Sequence, residues 1–356
     1  MKIKILFVLI ILIIISLNLT SCENSPGHFA TTPSLPPSTS LTPPSQAKEA
    51  DLSKSPIRFN EGGGGDVGRD DPGAPFDGGS FLYCKHTNLP EFYNSIQNPG
   101  DYNFNFDFNI NEKIAGGIVP HHMVAATLVS GFFKSVSESC IYDTVIIVGP
   151  NHQGETGDIV VSFKNWQIWG TVYCDTDITE NIYKKLPDII GGNFNIFNII
   201  ESDEIMEEEH SISVLIPYIN YYLPDSKVAM FLLSRRLSLE SVNNFANILS
   251  DEINTAKESG KNILLVCSVD FSHFLTVSES IENDKITKSA IINRNYRTIH
   301  DFSNEYVDSP QSLNTFLMCF ENMGINNIEI LYNTDASEFL GDGIDQTTSY
   351  FIIAAY

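Results

Sequence analysis

Four histidine motifs carry side chains that can bind a metal ion or transfer a proton. His121 and His152 each follow an apolar run of strand length, and His273 comes shortly after a third run. His210 stands at the predicted start of a helix. Neutral imidazole is the commonest protein ligand for iron, copper and zinc, and it also titrates near neutral pH. The spacing of the four matches no compact zinc motif, so the fold must bring them together.

Apolar runs alternate with helical patterns from residue 114 onward. Residues 144–148 and 262–268 are β-branched and leucine-rich, which predicts buried strands, and 239–258 has the pattern of an amphipathic helix. This alternation predicts an α/β fold with a mixed, largely parallel central sheet covered by helices on both faces. Ligands of such sheets bind at the carboxyl ends of strands, where three of the four histidines fall.

Carboxylates accompany two of the histidines. Asp270 precedes His273 by three residues, and Glu209 is adjacent to His210. Two histidines and one carboxylate form the open triad that Fe(II) uses in dioxygen chemistry, and a bound metal can alternatively lower the pKa of a bound water. We predict His210, His273 and Asp270 as acid/base residues, with Glu209 orienting His210. The alternative for each is a structural role, such as helix-dipole complementation by the acids before His210.

The N-terminus has the layout of a bacterial lipoprotein signal. Lys2 and Lys4 precede an unbroken apolar run over 5–15, and small residues then lead to Cys22. We predict that residues 1–21 are a signal peptide and that Cys22 carries the lipid. The apolar run is short for a membrane span, although a retained anchor or plain secretion are alternatives. The prediction places the protein outside the cytoplasm, lipid-anchored to a bacterial membrane.

Residues 22–78 have the composition of a tether. Nine of the 17 prolines and eight of the 23 glycines lie between residues 23 and 78. Such a segment buries too little apolar surface to offset the entropy of ordering, so it predicts a disordered spacer. The globular α/β domain is then predicted over 79–356.

The charge of the chain excludes one class of partner. There are 44 acidic and 21 basic residues, for a net charge of −23, with no run of Lys or Arg. Phosphate backbones require clustered basic side chains, so nucleic acid is not expected. The expected partners are an unidentified small molecule and the membrane, reached through the lipid on Cys22. The five later cysteines form no CxxC pair, so no disulfide framework is predicted.

Segments in four places resemble, in order, motifs of the Memo family. They are residues 116–122, 145–152, 208–218 and 268–273, and the end of the chain from residue 348 is similar to the closing strand of that family. The resemblance covers about 79–356. It implies a fold related to the class III extradiol ring-cleaving dioxygenases, and bacterial members are often called AmmeMemoRadiSam system protein B.

The resemblance also implies a metal site. The histidines that match His121 and His152 are metal ligands in the family, and eukaryotic members have a cysteine as third ligand where this chain has Ser272. A serine hydroxyl is a poor ligand, so the third ligand must differ here. We predict His121, His152 and His273 as the metal set. Water, His210 and Asp270 are the alternatives for the third position.

These observations favour a metal-dependent, dioxygenase-like oxidoreductase acting on a small molecule, with iron or copper rather than zinc. A metal-dependent hydrolase on the same ligands is one alternative. A non-catalytic metal- or ligand-binding lipoprotein outside the cytoplasm is the other, because a fold does not determine a function.

Overall fold

The computed structural model describes residues 81–97, 113–154, 157–186, 199–341 and 343–356, which lie within one compact unit. The strands in these ranges are β1 (Phe81–Tyr83), β2 (Gly116–Val119), β3 (Thr144–Pro150), β4 (Ile159–Val161), β5 (Asn165–Gln167), β6 (Thr171–Val172), β7 (Ile199–Glu201), β8 (Lys227–Leu233), β9 (Ile263–Ser268), β10 (His273–Leu275), β11 (Ile328–Asp335) and β12 (Thr347–Ala355). The α-helices are α1 (Leu89–Gln97), α2 (Ala126–Ser139), α3 (Thr176–Lys185), α4 (Asp203–Glu208), α5 (His210–Ser213), α6 (Ile216–Tyr222), α7 (Leu239–Glu258), α8 (Val277–Ile292), α9 (Tyr296–His300), α10 (Pro310–Asn322) and α11 (Ser337–Leu340).

The central sheet is mixed, with a parallel middle. Its strand order is β10-β12-β2-β9-β3-β8-β4-β7, and β11 pairs antiparallel with residues 349–355 of β12. Strands β2, β9, β3 and β8 are parallel neighbours, while β12 and β4 run antiparallel to them on either side. The parallel strands end at one edge of the sheet, so the loops that follow β2, β3 and β9 meet there. A separate small sheet has the order β1-β5-β6.

Helices cover both faces of the central sheet, as the alternation of apolar runs predicts. In β3, Ile146 and Val148 pack into a cluster with residues of α7 and α10, whereas Val145 and Ile147 pack with α2 and α6 on the other face. Every residue of β3 is buried. A strand covered on both faces must be apolar at every position, which is why these strands read as continuous apolar runs instead of alternating ones.

The two glycines of β2 permit close packing beside the site. A Cβ on Gly116 would lie 2.3 Å from the Leu265 carbonyl oxygen, and one on Gly117 would lie 2.3 Å from the Phe132 ring. Neither space admits even a methyl group. The two glycines therefore allow β2 to pack closely against β9 and α2. His121 follows β2 at the edge of the sheet.

Two helical segments are each divided in two. Residues 210–222 contain α5 and α6, and Pro217 lies in the first turn of α6, where its missing N–H costs no hydrogen bond. Residues 281–299 divide into α8 and α9 at Arg294, whose φ of 51° interrupts the helical backbone. The first division matters for the site, because α5 starts at His210.

The predicted signal peptide, Cys22 and the whole of the predicted spacer fall on residues 1–78, outside the described residues. The same holds for the predicted domain start at Gly79. None of the helices that the structure describes has both the length and the apolar character needed to cross a membrane. The five cysteines beyond Cys22 are all free thiols.

Candidate metal centre

Three of the four histidines converge at the edge where the parallel strands end. His121 follows β2, His152 follows β3, and His210 begins α5. The ring centroids of His121 and His152 are 5.4 Å apart, and those of His152 and His210 are 4.4 Å apart. Asp270, which follows β9, lies in the same crevice, with Oδ2 3.5 Å from His121 Nε2. The strand-end rule therefore accounts for the meeting of His121 and His152, whereas His210 reaches the same edge at the start of α5.

Hydrogen bonding leaves one particular nitrogen of His121 facing the crevice. The Ser268 hydroxyl donates to the Ser211 carbonyl at 2.5 Å, so its oxygen can only accept from His121 Nδ1–H at 3.2 Å. The backbone N–H of His121 donates to Asp270 Oδ1 at 3.1 Å, which holds the residue in place. His121 Nε2 then faces the carboxylates of the crevice, as a ligand nitrogen should.

Glu209 plays the corresponding part for His152. Its Oε1 accepts from His152 Nδ1–H at 2.8 Å, and its Oε2 accepts from the His152 backbone N–H at 2.8 Å. The predicted partner of Glu209 was His210, whose Nδ1 is farther away, at 3.3 Å. A buried carboxylate that holds one ring nitrogen while the other faces inward is the usual outer partner of a metal-binding histidine. Glu209 thus orients His152 more directly than it orients His210.

Asp308 is the principal residue that the sequence analysis missed. Its Oδ2 lies 3.2 Å from His121 Nε2 and 3.7 Å from His152 Nε2. Its Oδ1 is buried without a hydrogen-bond partner among the described residues, and such groups are rare in native structures. Asp308 directly precedes the N-cap of α10, a position where acidic residues are common for capping reasons alone. No local signal in the sequence separates it from an ordinary capping residue.

Arg235 holds the loop that carries Asp308. Its guanidinium donates to three acceptors on that loop, the carbonyl oxygens of Phe302, Val307 and Asp308, at 2.8 to 3.2 Å. Asp308 and Asp270 also exchange hydrogen bonds, since the Asp308 N–H donates to the Asp270 carbonyl at 3.0 Å and the Asp270 N–H donates to Asp308 Oδ2 at 3.1 Å. The carboxylate is therefore positioned from both sides.

Arg235→Lys is expected to weaken metal binding about tenfold, a typical loss for an outer-sphere partner. A lysine ammonium cannot reproduce the planar fork that serves three carbonyls, so the loop and Asp308 would lose their fixed position. Metal titration with a competing chelator measures the effect. Arg297→Lys, which alters an exposed ion pair with Asp301, is the matched control. Equal affinities for the two variants would contradict this role.

His273 is not brought to the cluster, although it was predicted as a ligand. Among the described residues, the groups whose ligand atoms lie within 4.8 Å of one another are His121 with His152 and His210, and His121 with Asp270 and Asp308. His273 lies on β10, where its N–H donates to the Asn304 carbonyl and its Nδ1 is buried with no partner in the described ranges. The Ser272 hydroxyl also turns away, donating to Asp284 at 2.8 Å.

Charges within the crevice are strongly coupled. Burial disfavours the charged form of His152, but the nearby Asp308 carboxylate and the hydrogen bond with Glu209 outweigh burial and raise its pKa to about 10. Burial also opposes ionisation of Glu209, yet His152 lowers the Glu209 pKa to about 2. Burial likewise disfavours the charged forms of His121 and Asp308. Attraction to the opposite charges beside them outweighs burial, so the pKa of His121 is raised and the pKa of Asp308 lies well below its usual range. Burial and the two cationic rings lower the pKa of His210 to about 4, so His210 is the neutral imidazole.

Glu209→Gln is expected to lower metal affinity by about 10- to 100-fold and to lower the pKa of His152. An amide can still accept a hydrogen bond from the ring, but it removes the negative charge that favours the imidazolium. Metal titration measures the first effect, and the pH titration of the His152 proton resonances in the metal-free protein measures the second. Glu208→Gln, at an exposed neighbouring acid paired with Lys85, should leave both unchanged.

The donor set fits a transition-metal ion. Two ligands bound at about 2.1 Å lie roughly 3 to 3.5 Å apart, depending on the angle between them. The separations of His121 Nε2 from Asp270 Oδ2 and Asp308 Oδ2, 3.5 and 3.2 Å, agree with this spacing. The unpartnered Asp308 Oδ1 offers a further oxygen. Imidazole and carboxylate together suit iron, copper or zinc better than calcium or magnesium.

Two cavities adjoin the cluster, and His210 lines both. Cavity A, of about 470 Å³, is also lined by His86, His122 and Phe339. Cavity B, of about 430 Å³, is also lined by His152, Arg236 and His273. Each is large enough for a small organic molecule next to the converging ligands.

The fold and the crevice define a class of protein: a mixed α/β protein with imidazole and carboxylate side chains gathered at the carboxyl ends of parallel strands. The profile of the Memo-like protein family matches residues 86–345. The chain belongs to this family, and its fold is accordingly related to that of the extradiol dioxygenases, as the motif resemblance implies.

Archaeal proteins described as MEMO1 family members are similar to this chain. The one from Pyrobaculum arsenaticum is 23% identical over 253 residues, which are 68% of this chain and 83% of that protein. The one from Methanosarcina mazei is 25% identical over 195 residues, 53% of this chain and 66% of that protein. The solved structure of an uncharacterized protein from Escherichia coli K12 aligns with 67% of this chain and 99% of that chain. The sequence identity is 11% and the TM-score is 0.41, a similarity too low to bear on function.

Proposed function

We propose that this Memo-like protein binds iron or copper through His121, His152 and Asp308, and acts on a small molecule as a dioxygenase-like oxidoreductase. The observation that carries the proposal is the convergence of two imidazole Nε2 atoms and one buried carboxylate, with each ring held at its opposite nitrogen. Two histidines and a carboxylate make the facial triad that leaves coordination positions open. An ion bound at this site would activate dioxygen.

The protein's own side chains would supply the remaining steps. His210 lines both cavities and is neutral at pH 7, because its pKa is lowered to about 4, so it can accept a hydrogen bond from a substrate hydroxyl on either side. Asp270 holds the His121 backbone and faces its Nε2. This arrangement supports the predicted acid/base role of His210 and gives Asp270 a positioning role or a place as a further ligand.

Elemental analysis of anaerobically purified full-length protein tests the proposal first. Iron or copper near one equivalent, lost in the His121→Ala/His152→Ala double variant, would support it, and oxygen uptake should then be screened over a panel of small molecules. Stoichiometric zinc would favour hydrolysis on the same ligands. Failure to bind any metal after reconstitution would leave a non-catalytic binding protein as the remaining function.

We propose further that the domain is lipid-anchored through Cys22 outside the cytoplasm. The basic start, the short apolar run and the small residues before Cys22 support this, together with the proline- and glycine-rich segment that follows. Labelling with a palmitate analogue in a bacterial host should modify the native chain and leave Cys22→Ser unmodified. Label retained by Cys22→Ser would contradict the proposal.

A further inference from the structure

A third cavity lies at the edge of the central sheet opposite the metal crevice. Cavity C, of about 340 Å³, is lined by residues that precede β2 and by the segment that joins α7 to β9. Because β2 and β9 are parallel, both segments lie at the amino ends of these strands, whereas His121 and Asp270 follow the carboxyl ends. Cavity C is therefore separate from the metal crevice and from cavities A and B.

Three lysines converge on cavity C. Lys113 precedes β2, Lys257 lies in the last turn of α7, and Lys261 precedes β9. No Asp or Glu is among the described residues that line cavity C, whereas Glu91 lines cavity A and Asp308 lines cavity B. The chain as a whole has 44 acidic and 21 basic residues. A cavity whose charged side chains are all lysines is thus an exception to the charge of the molecule.

The helix dipole explains two of these lysines but not the third. Lys257 and Lys261 lie at the C-terminal end of α7, where positive charge is favourable. Lys113 comes from a segment distant in sequence, and its ammonium donates to Asn262 Oδ1. Asn262 is itself fixed, because its side-chain amide donates to the Ile141 carbonyl at 2.8 Å. This contact holds Lys113 beside the other two lysines.

The approach of like charges at cavity C is unfavourable without an anion. Burial lowers the pKa of the Lys257 ammonium, and the positive charge of Lys113 acts in the same direction. Lys261 lies 3.9 Å from Asp175, the upper limit for an ion pair, and the same Asp175 oxygen accepts from the Thr144 hydroxyl at 2.6 Å. An anion bound among the three ammonium groups would relieve their repulsion.

The floor of cavity C is apolar, and one side of its entrance is open. Ile114 and Ile263 are buried, and Ile325 lines the cavity beside them. A Cβ placed on Gly260, whose φ is 84°, would meet nothing within 4 Å. Apolar surroundings lower the local dielectric constant and so strengthen the attraction between an ammonium group and an anion. The cavity is large enough for a small charged group and the atoms attached to it.

We propose that cavity C binds the phosphoryl group of a phosphate monoester, with the ammonium groups of Lys113, Lys257 and Lys261 contacting its oxygens. Lysine binds phosphate as a point charge, whereas the planar fork of arginine is the better match for a carboxylate. Three point charges therefore suit a doubly charged, tetrahedral group. A soluble ester and the headgroup of phosphatidic acid both present this chemistry. One cavity with three lysines gives no track for a polyanion, in agreement with the exclusion of nucleic acid.

Calorimetric titration of the full-length protein with glycerol phosphate tests the inference, with acetate as the singly charged probe. The titration is made at about pH 8, above the second phosphate pKa of about 6, so that the ester is doubly charged. We expect glycerol phosphate to bind at least about tenfold more tightly than acetate, because twice the charge interacts with the lysines. Lys113→Met/Lys257→Met should weaken the binding of glycerol phosphate by at least about tenfold. Lys184→Met/Lys285→Met, which removes two exposed lysines elsewhere, is the charge-matched control and should preserve it.

Two further measurements address the charge and the source of the phosphoryl group. Lys257→Arg keeps the charge and should keep the affinity within about threefold, and thermal melting verifies that each variant folds. Dihexanoyl phosphatidic acid, a soluble lipid, is compared with glycerol phosphate. Tighter binding of the lipid through the same lysines assigns a lipid headgroup, and equal or weaker binding assigns a soluble ester.

Three outcomes would overturn the inference: no measurable binding of glycerol phosphate, acetate binding as tightly as glycerol phosphate, or unchanged affinity in Lys113→Met/Lys257→Met. The His121→Ala/His152→Ala variant separates this inference from the proposed metal chemistry. Binding that persists in the histidine variant and is lost in the lysine variant supports cavity C whether or not the protein binds metal. The opposite pattern would place the anion at the metal crevice and overturn the inference.

Discussion

Asp308→Asn is expected to lower metal affinity by at least about 100-fold, whereas His273→Ala should leave it within about threefold. These two variants separate two candidates for the third ligand. The sequence motifs favour His273, whereas the structure places Asp308 Oδ2 3.2 Å from His121 Nε2 and leaves His273 out of both candidate ligand groups. An asparagine keeps the size of the side chain and one carbonyl oxygen, but it removes the charge that draws a cation. Competition titration with a chelator, combined with elemental analysis, measures both affinities.

The controls for this experiment guard against loss of folding. Asp308 is buried and faces two histidines, so its replacement disturbs the metal-free protein as well, and thermal melting should accompany each titration. Asp301→Asn, at an exposed acid on the surface, removes the same charge outside the crevice. The opposite pattern, with metal lost in His273→Ala and kept in Asp308→Asn, would show that the ligand set of the motif analysis is the correct one.

Metal binding is expected to release up to two protons at pH 7 and to strengthen as the pH rises. The pKa of His152 is raised to about 10, so this ring is protonated in the metal-free crevice at neutral pH, and the nearby carboxylates raise the pKa of His121, which favours its protonated form as well. A metal ion binds only the neutral imidazole, so each ring must lose its proton. Raising the pH removes that competition, and affinity should increase by about tenfold per pH unit for each proton released.

Calorimetric titration in buffers of different ionisation enthalpy counts the released protons. His210→Gln is a discriminating control, because the His210 pKa of about 4 makes this ring neutral already, and its removal should not change the count. Glu209→Gln should reduce the count, because the pKa of His152 would fall toward neutrality. Binding without proton release, or with affinity that falls as the pH rises, would contradict the charge state inferred for the crevice.

Local patterns in the sequence sufficed for the elements and for part of the site. Continuous apolar runs predict strands buried on both faces, and the structure confirms the two runs named above as β3 and β9 of a mixed sheet. Because parallel strands carry the residues after their carboxyl ends to one edge, His121 and His152 could be placed together without any knowledge of distances. Family membership was equally accessible, since the ordered motifs are local strings of residues. The lipid anchor at Cys22 stays a prediction of the same local kind.

Only the tertiary structure decided which hydrogen-bond partner each candidate ligand has. Glu209 is adjacent to His210 in sequence, but its shortest ring contact is with His152, 57 residues away, because the loop after β3 passes over the start of α5. Asp308 reads as a capping residue and becomes a member of the cluster through hydrogen bonds with Asp270 and Arg235. The type and position of a strand-end residue follow from local physical chemistry. The direction of its side chain depends on contacts between distant segments, which no local pattern records.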